Sequence, residues 1–222
     1  MNILFAPVWF YGMDVVMEII YGVIVLLLAH LVYQAYHLIK NDRLRFMFFG
    51  FVFLGIAYLF QAALNSIAII KVFGPFSILE KLNAILVFHT YGLYVHMILF
   101  MMGLSMLFYA TLRTERIRIL WFLIITSLLL LVMSPERMLA FFFLSTIYLG
   151  FLFWHFLENW YRKRDKKTLL VACGFLFLVI GHIEFVFALT HPIAYVLAHI
   201  FGLVAYLLLL WNFYLVKNEK TR

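Results

Sequence analysis

The chain has 222 residues, of which 67% are hydrophobic and only 12% are charged, and its formal net charge is +7 at neutral pH. A soluble domain is usually about half apolar and about one quarter charged, so this chain has too little polar surface for a water-soluble globule. Its basic residues lie in short runs between apolar segments, the placement that orients membrane proteins. The sequence therefore predicts an integral membrane protein and gives no reason to expect a nucleic-acid partner.

Seven apolar segments follow one another along the chain, and we expect each to cross the membrane as a helix. A span needs about 20 apolar residues, and continuous runs of that length favour helices over barrel strands. The short connections leave no soluble segment, so residues 1–222 are predicted to form one all-α domain in the cell membrane, with lipids as neighbours. The predicted spans are 15–38, 45–70, 82–110, 117–134, 137–160, 168–189 and 192–216.

Lysine and arginine are distributed unequally between the two sides of this topology. Short cytoplasmic loops carry an excess of these residues, so the richer side is predicted to be cytoplasmic. The N-terminus is then outside and the C-terminus inside, which requires an odd number of spans. The richer side holds Lys40, Arg43, Arg45, Arg113, Arg116, Arg118, Arg162, Lys163, Arg164, Lys166, Lys167, Lys217, Lys220 and Arg222, and the other side holds Lys71, Lys81 and Arg137.

Histidines from three predicted spans lie at a similar depth in the outer half of the membrane. His89, His182 and His199 each lie about seven residues from the outer end of a span, or about 10 Å deep at the rise of an α-helix. Three imidazoles and an open position are a common way to hold zinc. Glu18 is the best-placed carboxylate, and His96 lies two turns below His89 on nearly the same face. The sequence therefore predicts an intramembrane metal or haem site.

A thinner polar layer lies toward the inner side. His30 and His155 would meet there if the first and fifth helices touched, and a histidine pair near each face would suit a haem b conduit for electrons. Two other interpretations of both layers stay open: a structural network that only fixes helix packing, and a path for protons or a ligand. A retinal-binding protein is excluded, because the last helix has no lysine before Lys217.

The last two predicted helices carry a familiar pattern, Gly181-His182 to Pro192 and then Ala198-His199-Ile200-Phe201-Gly202 leading into Leu207-Leu208-Leu209-Leu210. This stretch resembles uncharacterised seven-helix membrane proteins of archaea and bacteria, and the membrane-embedded sensor modules of some histidine kinases. The resemblance implies a sensor or a cofactor-binding module. Because a short tail follows the last predicted span, signal output would need a separate membrane or cytoplasmic partner.

Seven-helix hydrolases of the ceramidase and adiponectin-receptor type are similar in topology and use three histidines to bind zinc. Their last helix carries two histidines four residues apart, whereas His191 and His199 of this chain are eight apart. A zinc-dependent lipid hydrolase is therefore the third hypothesis, after a metal or haem protein and a sensor or scaffold. The sequence does not decide whether the protein is an enzyme.

Overall fold

The computed structural model describes residues 7–10, 12–73, 90–112, 114, 116–188 and 190–219. Within them the chain is helical, as predicted, and six of its helices are long and apolar enough to cross a membrane. The fourth is apolar but has only 17 residues. After a 3-10 turn at Val8–Phe10, the helices are α1 Met13–Ile39, α2 Asp42–Phe73, α3 Thr90–Thr111, α4 Ile117–Met133, α5 Arg137–Lys163, α6 Lys166–Phe187 and α7 Pro192–Glu219.

The six long helices form a ring, and the short one lies outside it. Going round the ring, α1 packs on α2, α2 on α3, α3 on α5, α5 on α6, α6 on α7, and α7 on α1. The fourth helix has its main contacts with α3 and α5. The helices α1, α3, α5 and α7 begin at one end of the ring, which we call the Asp14 end. We call the opposite end the Lys40 end.

Neighbouring helices approach closely where glycines face one another. A Cβ atom on Gly22 of α1 would lie 2.7 Å from the Leu59 side chain and 3.3 Å from the carbonyl oxygen of Gly55 in α2. A Cβ atom on Gly103 of α3 would lie 2.8 Å from the carbonyl oxygen of Gly50. Small residues of this kind allow backbones to approach inside membranes, where no hydrophobic effect drives helices together. The glycines therefore set the spacing of α1, α2 and α3.

Two tight turns at the Lys40 end join α1 to α2 and α5 to α6. Lys40 and Arg164 adopt left-handed backbone conformations with φ of 55° and 53°, and their N–H groups donate to carbonyl oxygens of the preceding helix. Asp165 then caps α6, because its side chain accepts a hydrogen bond from the Lys167 backbone N–H. Cations at helix C-termini and an acidic N-cap both suit the helix dipole. These turns hold the helix pairs antiparallel.

Candidate functional site at the Asp14 end

The face of α1 that points into the ring carries polar groups near the Asp14 end. Asp14, Glu18 and Tyr21 follow one another at helical spacing of four and three residues, and all three are buried. The same face continues with apolar residues toward the Lys40 end, at Val25 and Leu28. The polar part of this face of α1 therefore begins at the Asp14 end and stops near the middle of the helix.

Glu18 pairs with polar side chains of α2. The side-chain amide of Asn65 donates to both Glu18 oxygens at 3.0 Å, and Gln61 donates to the Asn65 oxygen at 3.2 Å. Glu18 is only 5% exposed. These amide hydrogen bonds are the ones that the described residues make to its carboxyl group, and no basic side chain forms an ion pair with it there.

Asp14, one turn nearer the helix start, has a different set of donors. One of its carboxyl oxygens accepts the backbone N–H groups of Gly12 at 3.0 Å and Val15 at 2.9 Å. The other oxygen accepts the Tyr195 hydroxyl of α7 at 3.5 Å. The donors to Asp14 are thus two backbone N–H groups and a tyrosine hydroxyl. Two carboxyl groups one turn apart thus have unequal surroundings.

His199 lies beside these groups in a cage of aromatic rings. Its ring centroid is 4.7 Å from that of Tyr195, 5.3 Å from Phe185, 5.7 Å from Phe10 and 6.1 Å from Tyr21, which is nearly parallel to it. The side chain is 3% exposed, and neither ring nitrogen has a hydrogen-bond partner among the described residues. Buried polar atoms without partners are uncommon and costly, so this imidazole is the leading candidate for contact with a ligand.

Three tyrosines, of which Tyr21 and Tyr206 are buried and Tyr58 is half-buried, continue the polar chain into the middle of the ring. The Tyr21 hydroxyl donates to the His199 carbonyl oxygen, and the hydroxyls of Tyr58 and Tyr206 are 2.7 Å apart. The three rings contact one another with centroids 5.4–5.6 Å apart. Tyr58 also contacts the His96 ring at 6.2 Å. A continuous series of polar side chains therefore joins the region of Asp14 to His96.

His96 and His182 share one bonding pattern. Nδ1 of His96 is 2.9 Å from the Ala57 carbonyl oxygen, and Nδ1 of His182 is 2.9 Å from the Leu178 carbonyl oxygen. Because a carbonyl only accepts, each imidazole donates through Nδ1–H and keeps a lone pair on Nε2 when neutral. The rings are bridged by Phe100, whose centroid lies 5.7 Å from His96 and 5.5 Å from His182.

The histidines thus occupy one region without converging on one point. Phe100 lies between His96 and His182, and Phe185 contacts both His182 and His199. Among the residues that the structure describes, no group of three or more histidine, cysteine or acidic side chains is arranged to hold a metal ion. His89, the remaining ligand of the predicted site, lies outside the described residues. The metal site with His89, His182, His199 and Glu18 stays a prediction.

The described packing beside His182 encloses a cavity of about 10 Å³, which is lined mainly by leucine and phenylalanine, with Tyr206 as the other polar residue. This volume matches about one water molecule, whereas a pocket for a ligand of haem size needs several hundred Å³. His89, a ligand of the predicted site, lies outside the described residues. The haem site therefore stays a prediction.

The two histidines of the predicted inner site are not brought together. His30 is exposed on α1 and lies 2.9 Å from the Gln34 amide, one turn along the same helix. His155 of α5 lies 2.9 Å from the Asn159 amide. The neighbours of α1 are α2 and α7, while α5 packs on α3, α4 and α6, so the two helices lie on different sides of the ring.

Sequence reasoning missed Asp14, Tyr195 and the three tyrosines. A usable signal was present, because Asp14, Glu18 and Tyr21 share one face of α1, and Tyr195, His199 and Tyr206 share one face of α7. The signal was hidden because tyrosine is common throughout this chain, with 13 in all, and is often a packing residue.

No protein-family model matches the chain, and no curated protein or solved structure shows significant similarity to it. The site is therefore interpreted from its own geometry.

Proposed function

We propose that this multi-pass membrane protein binds and releases a proton at Glu18, and that this protonation controls the packing of α1 against α2 and α7. The observation that carries the proposal is the burial of two carboxyl groups, Asp14 and Glu18, one turn apart in a membrane-spanning helix. Ionisable groups in such segments are costly and commonly mark proton or ion pathways. Two adjacent buried carboxylates would repel each other, so one of them is expected to be neutral.

The hydrogen bonds support Glu18 as the protonated member of the pair. Asp14 receives two backbone N–H groups and a tyrosine hydroxyl at a helix start, which stabilise its charge. Among the described residues, Glu18 receives the neutral amide of Asn65 alone, and it lies one turn deeper. A charged Glu18 would lose hydration that one amide replaces poorly. Release of its proton is therefore expected to admit water between α1 and α2.

Infrared spectroscopy of the full chain in lipid vesicles tests this proposal directly. A protonated carboxyl group absorbs separately from a carboxylate, so at neutral pH, where ordinary carboxyl groups are ionised, the spectrum should show one acid band that belongs to Glu18. The band should be absent from Glu18→Gln, which keeps the size and the hydrogen-bonding ability of the side chain. Glu158→Gln is the matched control, because Glu158 is exposed and pairs with Arg162. An acid band that survives unchanged in Glu18→Gln at neutral pH would overturn the assignment.

A second candidate function, metal-ion binding, is favoured by the pattern of the imidazoles. Metal-bound histidines usually donate their other ring N–H to a carbonyl or carboxylate, as His96 and His182 donate to Ala57 and Leu178. His199 has two unpartnered nitrogens, and His89 would complete the predicted ligand set. Stoichiometric zinc in the purified protein, lost in His199→Ala, would support this candidate and keep the hydrolase open. A visible haem band would support the haem hypothesis, and absence of metal and colour would leave the proton or scaffold function.

The proposed topology has seven crossings, with the N-terminus outside the cell and the C-terminus inside. An α-helix of 17 residues is about 25 Å long, close to the thickness of the hydrocarbon core, so α4 is long enough to complete the count. The placement of lysine and arginine supports this arrangement. The Asp14 end would then face outward, and proton exchange at Glu18 would respond to the external medium. Labelling of single cysteines near each terminus would test the orientation.

A further inference from the structure

The first helix has two faces with opposite environments. The residues of one face are buried in the ring and include Asp14, Glu18 and Tyr21. The residues of the other face are all exposed and follow each other at alternating spacings of four and three, which is the spacing of a coiled-coil seam. We call this second face the α1 seam, and it consists of Val16, Ile20, Val23, Leu27, His30, Gln34 and His37.

The α1 seam is polar at a depth where lipid offers no hydrogen bonds. His30 lies nine residues from the end of α1 at Ile39, or about 13 Å along the helix axis. It lies within hydrogen-bonding distance of Gln34, yet both side chains are exposed on the outside of the ring. One mutual hydrogen bond leaves other donors and acceptors of the imidazole and the amide facing hydrocarbon. Polar side chains in such positions drive helices to associate.

We infer that the α1 seam is the interface of a parallel homodimer, in which each protomer packs its seam against the seam of its partner. A second copy is the occupant that the residues favour, because imidazole and amide groups both donate and accept hydrogen bonds. A patch of this kind is complementary to itself under twofold symmetry. Two copies inserted with the same orientation also bring their α1 helices together in parallel, so His30 and Gln34 of both chains meet at one level. The apolar part of the seam, from Val16 to Leu27, packs beside them.

Cysteine cross-linking in membranes tests the interface. In a Cys173→Ser background, Val23→Cys places a thiol on the seam, and Leu129→Cys places one on α4, at a similarly exposed site away from it. The seam variant should form a disulfide-linked dimer under mild oxidation, and the α4 variant should stay monomeric. Equal cross-linking of both variants, or cross-linking of neither, would overturn the proposal.

A second measurement tests how much His30 and Gln34 contribute to dimerisation. The dimer fraction of fluorescently labelled protein in vesicles is measured against protein density, for the unaltered chain and for the His30→Leu/Gln34→Leu double variant. Loss of interhelical hydrogen bonds in membranes typically corresponds to a three- to twentyfold change, so we expect dimerisation weaker by about that factor. Both positions are exposed, so the fold should be retained. Unchanged dimerisation, or a monomer at every density, would contradict the inference.

Discussion

The histidines at the two ends of the ring have opposite environments. At the Asp14 end, His96, His182 and His199 are buried among aromatic rings, and two of them donate to backbone carbonyls of a neighbouring helix or of their own. Toward the Lys40 end, His30 is exposed and pairs with an amide of its own helix. The same residue type therefore contributes to the interior at one end and to the outer surface at the other. Depth in the membrane does not show whether a histidine is buried or exposed, because that depends on the face of the helix on which it lies.

The largest expected effect comes from separating α1 and α2 beside the buried end. Gly22→Ala would place a Cβ atom 2.7 Å from Leu59, one turn from Glu18. We expect a loss of about 2 kcal/mol in the free energy of unfolding, typical of overpacking. Unfolding in mixed micelles measures it. Gly150→Ala is the control, because a Cβ atom there meets nothing within 4 Å. An equal loss in both variants would show that helix spacing does not distinguish these sites.

A smaller effect is expected from removing one amide at each end. Asn65→Leu leaves the buried Glu18 carboxyl without the donor it has in the described residues, which should cost about 1.5 kcal/mol. Gln34→Leu removes the amide beside exposed His30 and should change the stability of the monomer little. The same micelle unfolding measures both. A larger loss of stability in Gln34→Leu than in Asn65→Leu would contradict the contrast between the buried and the exposed amide.

Two tyrosines offer a finer contrast. Tyr21→Phe removes the hydroxyl that donates to the His199 carbonyl oxygen, and the stability should fall by about 0.6 kcal/mol, the average for such bonds in membranes. Tyr33 of the same helix is 41% exposed, so Tyr33→Phe should have almost no effect. Thermal unfolding of the two variants measures the difference. A larger loss of stability in Tyr33→Phe than in Tyr21→Phe would contradict the prediction, because the more important hydroxyl would then lie on the exposed face of α1.

The smallest effect concerns Asp165, an exposed cap at the Lys40 end. The hydrogen bond from the Lys167 backbone N–H holds the pKa of its carboxyl below the ordinary value, with Thr168 adding to the shift. A lowered pKa means that the cap stabilises the fold above the unfolded pKa of about 4, and that this contribution disappears as the pH falls through the folded pKa. Asp165→Ala should cost about 0.5 kcal/mol at neutral pH and nothing in strong acid. Unfolding at both pH values measures it, and a cost that grows in acid would contradict the assignment.

Much of the fold follows from local features of the chain. The apolar runs predicted each of the seven α-helices found in the described residues, and the described starts and ends of α1, α4, α5, α6 and α7 lie within a few residues of the predicted ones. These boundaries can be predicted from the local sequence, because each is set by residues at that point of the chain. Lys40 and Arg164 follow the ends of helices, Pro192 begins one, and charged runs separate others. The seven-span count and the orientation remain proposals that depend on the charge distribution.

The candidate site was predicted only in part. Depth singled out Glu18 as a candidate residue, but its hydrogen bonds with Asn65 and, through Asn65, with Gln61 were found only in the structure. Depth also made His30 and His155 partners on the condition that α1 and α5 touch, whereas the ring separates these helices. Depth is a property of one helix and can be counted along the sequence. Whether two residues contact each other also depends on which faces of their helices pack together, and that information is spread over distant segments of the chain.

What the sequence determined by itself is the class of protein and the positions of its helices, because hydrophobicity, charge and turn residues act over a few neighbours. Only the tertiary structure decided that α4 lies outside a ring of six, that Tyr195 reaches Asp14 across 181 positions, and that Tyr21 reaches the carbonyl oxygen of His199. The physical reason is that helix order in a membrane depends on how glycines and side chains interlock between helices. No single segment contains that information, since each interface is shared by two of them.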